Sequence, residues 1–137
     1  MYENVMITDL LGKTLTSVVR QDCTALRGYK EEILLTCTDG SIYRMYHEQD
    51  CCESVTIEDI IGNLDDLVGS PILMAEEVTS KADPEGIEKE CEEGSFTWTF
   101  YKLATVAGYV TIRWYGESNG YYSEEVTFER AQEPTNV

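Results

Sequence analysis

The sequence predicts an α+β, mostly-β domain: an antiparallel sheet built from an N-terminal hairpin and a C-terminal three-stranded meander, with a short helical insert between them. Three observations carry this. Two β-prone runs, 31–37 and 42–47, flank Thr38-Asp39-Gly40-Ser41, whose Asp-Gly centre suits a type I′ turn. The stretch 95–128 alternates large apolar and polar residues over three runs. Between them, 55–67 carries apolar residues at near-helical spacing.

In chain order, 15–20 (LTSVVR) is a short β-prone run. On the second strand of the hairpin Tyr43, Met45 and His47 share one face and Ile42, Arg44 and Tyr46 the other, so both faces are expected to be partly covered. Thr56-x-x-Asp59 is a capping-box variant, followed by Ile60, Ile61, Leu64, Leu67 and Val68; the spacing predicts two helical pieces kinked at Gly62 and ending before Gly69-Ser70-Pro71. Residues 72–78 read as a strand or an edge, and 79–94, with Pro84 and many carboxylates, as an exposed acidic loop. The meander is expected to place Phe96, Trp98, Phe100, Val110, Ile112, Trp114, Tyr122, Val126 and Phe128 on one greasy face. Its other face carries Thr97, Thr99, Tyr101, Tyr109, Thr111, Arg113, Tyr115, Tyr121 and Glu125. The whole of 1–137 reads as one globular domain, with 131–137 a flexible tail.

Composition excludes several classes. Hydrophobic residues make up 42% of the chain, too many for a disordered acidic protein despite a net charge of −16. No apolar run approaches the ~20 residues of a membrane span, and MYENVMITDL lacks the basic start and apolar stretch of a signal peptide, so a cytoplasmic location is expected. Of the five cysteines two are adjacent, Cys51 and Cys52, a poor basis for a disulfide framework, so reduced thiols are expected. The charge opposes direct binding to nucleic acid or an anionic membrane. It is not spread evenly: fifteen Asp/Glu against two Lys/Arg lie from Glu48 to Glu93, and the remainder of the chain is nearly balanced.

The densest cluster of reactive types is His47, Gln49, Asp50, Cys51, Cys52 and Glu53. A zinc site would need ligands at wider spacing than adjacent cysteines. A thiolate activated by His47 would be opposed by Glu48, Asp50 and Glu53, which raise a nearby thiol's pKa. The favoured reading is a structural polar cluster at a buried corner, with the cysteines as small apolar fillers. Asn63-Leu64-Asp65-Asp66 fails the calcium-loop pattern because Leu67 and Met74 stand where oxygen ligands are required. No catalytic residue, metal or cofactor is assigned, and a non-enzymatic protein is expected.

Arg113-Trp114-Tyr115-Gly116-Glu117-Ser118-Asn119-Gly120-Tyr121 has the chemistry of a nucleotide pocket. Tyr109, Tyr115 and Tyr121 could stack on a base, Arg113 and Lys102 could neutralise phosphate, and Ser118 and Asn119 could supply polar recognition. The competing reading is cross-strand aromatic pairing, with Arg113 bonded to Glu125.

The stretches His47-x-Gln49-Asp50-Cys51-Cys52-Glu53, Gly62-Asn63-Leu64-Asp65-Asp66-Leu67 and Arg113-Trp114-Tyr115-Gly116-x-Ser118-Asn119-Gly120-Tyr121-Tyr122 resemble a family of small acidic phage and prophage proteins classed as a domain of unknown function. The resemblance brings no catalytic residue or cofactor. It implies a counter-defence role against bacterial immunity, with a small nucleotide signal or a host defence protein as partner and a homo-oligomer left open. Sequestration of a nucleotide immune signal is the leading expectation. Acidic mimicry of nucleic acid, inhibiting a host nuclease or DNA-binding protein, is the first alternative, and a Cys/His redox or metal protein the second.

Overall fold

The computed structural model describes residues 2–22, 31–88 and 94–131. Within them the strands are β1 (Tyr2–Asn4), β2 (Leu15–Asp22), β3 (Glu31–Cys37), β4 (Ile42–Tyr46), β5 (Ser54–Ile61), β6 (Met74–Ser80), β7 (Ser95–Thr105), β8 (Gly108–Ser118) and β9 (Thr127–Ala131). They pair antiparallel in two sheets, a five-stranded one ordered β1-β9-β4-β3-β2 and a four-stranded one ordered β5-β8-β7-β6. The mostly-β, antiparallel architecture expected from the sequence is what forms, and its helical content is two short 3-10 turns, Ile7–Leu10 and Leu64–Leu67.

One apolar cluster draws on both sheets. Ile33, Leu35, Tyr43, Met45 and Phe128 come from the first and Ile57, Tyr101, Leu103, Val110, Ile112 and Trp114 from the second, with Ile7, Leu10, Leu67 and Ile72 beside them. Tyr43 and Phe128 stack at 5.5 Å between ring centroids, and Tyr101 approaches Phe128 at 6.4 Å. This burial is the main stabilising term, because the alternation of each strand turns one whole face away from water.

Four details differ from expectation. The β3–β4 turn is not type I′: Cys37 N–H donates to Ser41 O at 2.8 Å and Gly40 N–H to Cys37 O at 3.0 Å, and only Gly40 takes positive φ (90°). Asp39 keeps negative φ, and its carboxylate accepts the N–H of Ser41 at 2.9 Å and the Lys13 ammonium at 2.8 Å. This fits a type I turn whose αL glycine makes a bulge.

Second, 55–61 is strand β5, not a helix. Val55 and Ile57 alternate inward with exposed Thr56, and a register shift between Ile57 and Asp59 creates the spacing that imitates a helix. Asn63, not Thr56, caps a turn, accepting Asp65 N–H at 2.9 Å. Gly62 takes φ of 107° between these pieces, where a Cβ would stand 2.6 Å from Tyr109 O.

Third, the meander has two strands. After β8 the chain crosses to the other sheet, where β9 lies between β1 and β4. Fourth, β7 is turned over relative to the expected face. Tyr101 and Leu103 point into the core opposite Ile112 and Val110, while Phe96, Trp98 and Phe100 lie on the outer face opposite Glu117, Tyr115 and Arg113. Tertiary pairing decides between two faces that are both aromatic.

Beyond β6, whose last residues are Thr79 and Ser80, the chain runs through turns in which Lys81, Asp83, Glu85 and Glu88 are exposed. Of the expected tail 131–137, Ala131 is the last residue of β9 and 132–137 lie outside the described residues, as do 89–93 and Cys23.

Candidate functional site

The polar corner between β4 and β5 is organised by Glu53, only 4% exposed. Its carboxylate accepts the N–H groups of Asp50 at 2.8 Å and Cys51 at 2.9 Å and faces His47 Nε2 at 2.7 Å. His47 Nδ1 lies 2.6 Å from the carbonyl of Glu125. Both ring nitrogens thus face oxygen atoms, and the imidazole is held between Glu53 and the Glu125 carbonyl. Burial opposes the charge on Glu53, but the Cys51 N–H, His47 and the Asp50 N–H outweigh it and hold the carboxyl at about 2. Gln49 Nε2 donates to the carbonyls of Glu53 at 2.7 Å and Cys51 at 3.2 Å. The expected cluster is therefore brought together.

Its cysteines are not buried fillers. Cys51 and Cys52 are exposed and joined to each other as a disulfide, against the expected reduced thiols, and Cys37 is free and buried. A bond between neighbours restricts only its own dipeptide and closes no long loop. Among the described residues no three His, Cys, Asp or Glu side chains gather as a metal cage.

The expected ligand residues fall into two groups. Lys102, Tyr109, Arg113 and Tyr115 share the outer face of the four-stranded sheet, set by the β7–β8 register. Arg113 does not meet Glu125. Its Nε donates to Glu58 Oε1 at 2.7 Å, an η nitrogen lies 3.6 Å from Asp59, and the guanidinium sits 5.7 Å from the Trp98 ring centroid. The bulge in β5 places both carboxylates beside it. Tyr115 is buried against Trp98 at 4.7 Å and Phe96 at 6.0 Å, and Asp83 closes over them by accepting the Trp98 indole N–H at 3.0 Å.

Ser118, Asn119 and Tyr121 lie where β8 ends. Ser118 Oγ donates to Glu124 at 2.5 Å, Thr97 Oγ1 donates to the same carboxylate at 2.6 Å, and Asn119 accepts Tyr121 N–H at 2.9 Å. Burial pushes the Glu124 carboxyl up, yet the bonds from Ser118, Thr97 and Ser95, with Lys81 nearby, leave it below the ordinary range. Three adjoining depressions surround this crossing segment and share Glu125. One is lined by His47, Glu48 and Asp50, one by Lys81, Tyr121 and Tyr122, and one by Glu77, Thr79 and Thr99. Lys81 is held by Thr97 Oγ1, to which it donates at 2.6 Å, and lies 3.6 Å from Glu124.

Sequence reasoning missed the carboxylates that neutralise the bases. Glu31 pairs with Arg20 at 2.8 Å, Glu32 with Arg44 at 2.5 Å, and Glu58 with Arg113. Arg44 and Glu32 sit on adjacent strands of the hairpin, so the hairpin itself could have suggested that pair. Glu58 could not be found while its segment was read as a helix.

A family model described as a domain of unknown function (DUF7448) matches residues 8–128, and the chain belongs to that family. Neither the curated proteins nor the solved structures contain a match.

Proposed function

We propose that this is a non-enzymatic binding protein that presents carboxylates to the basic groove of a partner protein, a nuclease or DNA-binding protein of its host. One observation carries the reading. Five of the seven described Lys and Arg side chains, Lys13, Arg20, Arg44, Lys81 and Arg113, lie against the chain's own carboxylates, at Asp39, Glu31, Glu32, Glu124 and Glu58. The exposed carboxylates Glu48, Asp50, Asp65, Glu76, Glu77, Glu85 and Glu88 then dominate the surface field. Complementary potentials steer association and are weakened by salt. A partner captured from bacterial lysate at low salt should bind nucleic acid through a basic groove, be released by salt, and be displaced by duplex DNA. Capture that yields no nucleic-acid-binding protein, or a complex indifferent to DNA, ends the reading.

A second reading, sequestration of a small nucleotide, is favoured by the depression that joins Lys81 to Tyr122 and to Tyr121, which is 81% exposed. Lys81 could approach a phosphate and Tyr121 could stack on a base. Arg113 is the weaker candidate, because a phosphate would have to displace Glu58 and Asp59. Titration with a panel of cyclic and linear nucleotides should give saturable heat that Lys81→Ala and Tyr121→Ala remove; no heat across the panel ends it. Either mechanism would serve counter-defence, the role implied by the resemblance to phage proteins.

A further inference from the structure

A sheet edge is a template for another strand unless something blocks it, and the four edges of this protein differ in how they are blocked. β1 is three residues long. β2 shifts register between Leu15 and Ser17, and Gly69 N–H donates to Leu15 O at 2.9 Å beside a bridge from Leu15 to Val68. β5 is bulged between Ile57 and Asp59, and the Ile57 N–H is taken by Glu31 Oε1 at 2.8 Å. β6 has neither device. It runs in unbroken register with β7 from Met74 opposite Ala104 to Ser80 opposite Trp98, and among the described residues no strand pairs with its other edge. The 3-10 turn Ile7–Leu10 packs against it and Ala75 is buried, which leaves Glu76, Glu77, Val78 and Thr79 as four consecutive exposed residues.

We infer that this edge docks an extended segment of a partner protein bearing lysine or arginine, by strand addition to β6. Backbone pairing at an open edge supplies affinity and alternate side chains supply specificity. Glu76 and Glu77 are consecutive and point to opposite faces of the sheet. Glu76 shares its face with Lys102, directly across in β7, and Glu77 shares the inner face with Tyr101. On that inner side Glu77, Thr79, Thr97, Thr99 and Glu125 line a depression of about 320 Å³ that opens beside the strand. A basic side chain on the inner face of an added strand would enter it between two carboxylates. Lys81, which also lines it, is already held by Thr97 and Glu124. A second copy of this chain is the wrong occupant, since two β6 strands side by side, ~4.8 Å apart, would bring four carboxylates together.

The inference rests on the acidic-binding reading above and names the element that makes contact. It can be tested with a short β-prone synthetic peptide carrying an adjacent lysine–arginine pair. The same peptide N-methylated at alternate backbone nitrogens keeps the charge and loses the donors. Calorimetry at low salt should show binding by the first peptide and about tenfold or greater loss for the second, of the size expected when such hydrogen bonds are removed. Hydrogen exchange should slow at Glu76–Thr79, and Glu77→Gln should weaken binding with no loss of the folded state by circular dichroism. Equal binding by the N-methylated peptide, or protection elsewhere but not at β6, overturns strand addition and leaves the acidic reading standing. If neither peptide binds and no basic partner is captured at low salt, the acidic reading itself has failed.

Discussion

Two acidic regions of similar composition do opposite things. At the corner 47–53 the Glu53 carboxylate faces inward, takes two backbone N–H groups and His47, and is hidden from solvent. Along β6 and the turns after it, Glu76, Glu77, Glu85 and Glu88 stand exposed. The first region uses charge to fix a loop and to tie it to the carbonyl of Glu125; the second adds to the field around the protein. A net charge therefore says little until each carboxylate is assigned a partner. Buried and bonded it is a structural element, and exposed it is available for binding.

The largest effect should come from removing the hub of the first region. Glu53→Ala strands His47 and two backbone donors, and is expected to cost about 3–5 kcal/mol in urea unfolding, as for other broken buried pairs. A cost below about 1 kcal/mol would erase the distinction between the regions, since that is the range of surface pairs.

The pH dependence sharpens it. The folded carboxyl of Glu53 lies at about 2 against an ordinary 4.5, so its contribution is complete above the unfolded value and is lost as pH falls from about 4.5 towards 2. The loss should total about 3 kcal/mol, at 1.36 kcal/mol per pKa unit. Unfolding curves across that window should slope less in Glu53→Gln.

Arg113→Ala should come next, at about 1–3 kcal/mol, because it leaves Glu58 with a lost charge-assisted bond on a half-covered sheet face. Its value separates an arginine spent on the fold from one kept for a ligand: unchanged stability would return Arg113 to the ligand candidates. The smallest effect belongs to the second region. Glu76→Gln with Glu77→Gln should shift unfolding by no more than about 0.5 kcal/mol, as exposed substitutions do, while weakening association with a basic partner. Glu77 is exposed as a residue, but its carboxyl is partly desolvated on the inner face and so raised, which the Tyr101 bond partly offsets and Glu125 reinforces, so neutralising it brings no large penalty. A large destabilisation would place β6 among the structural carboxylates.

The strands could be read where local rules suffice. β2, β3, β4 and β7 follow from β-branched and alternating residues, and the corner residues His47 to Glu53 can be grouped from sequence because they are adjacent in the chain. β5 was hidden by its bulge, since an extra residue turns a period of two into an apparent helical spacing at Ile57, Ile60 and Ile61. The expected pocket could not be assembled from spacing. Whether Arg113 meets Glu125 or Glu58 depends on which strand lies beside β8.

By itself the sequence determined that the chain folds through alternating β strands, that its acidity lies between Glu48 and Glu93, and that His47 to Glu53 form one dense run of polar and reactive residues. These are properties of neighbouring residues, fixed by period and side-chain chemistry. Tertiary structure decided which face of β7 is inside, that β9 joins the other sheet, which carboxylates are consumed by arginines, and that β6 is left as an open edge. Those outcomes depend on contacts between residues far apart in the chain, where both faces of a strand are apolar enough to be buried and only the partner sheet breaks the tie.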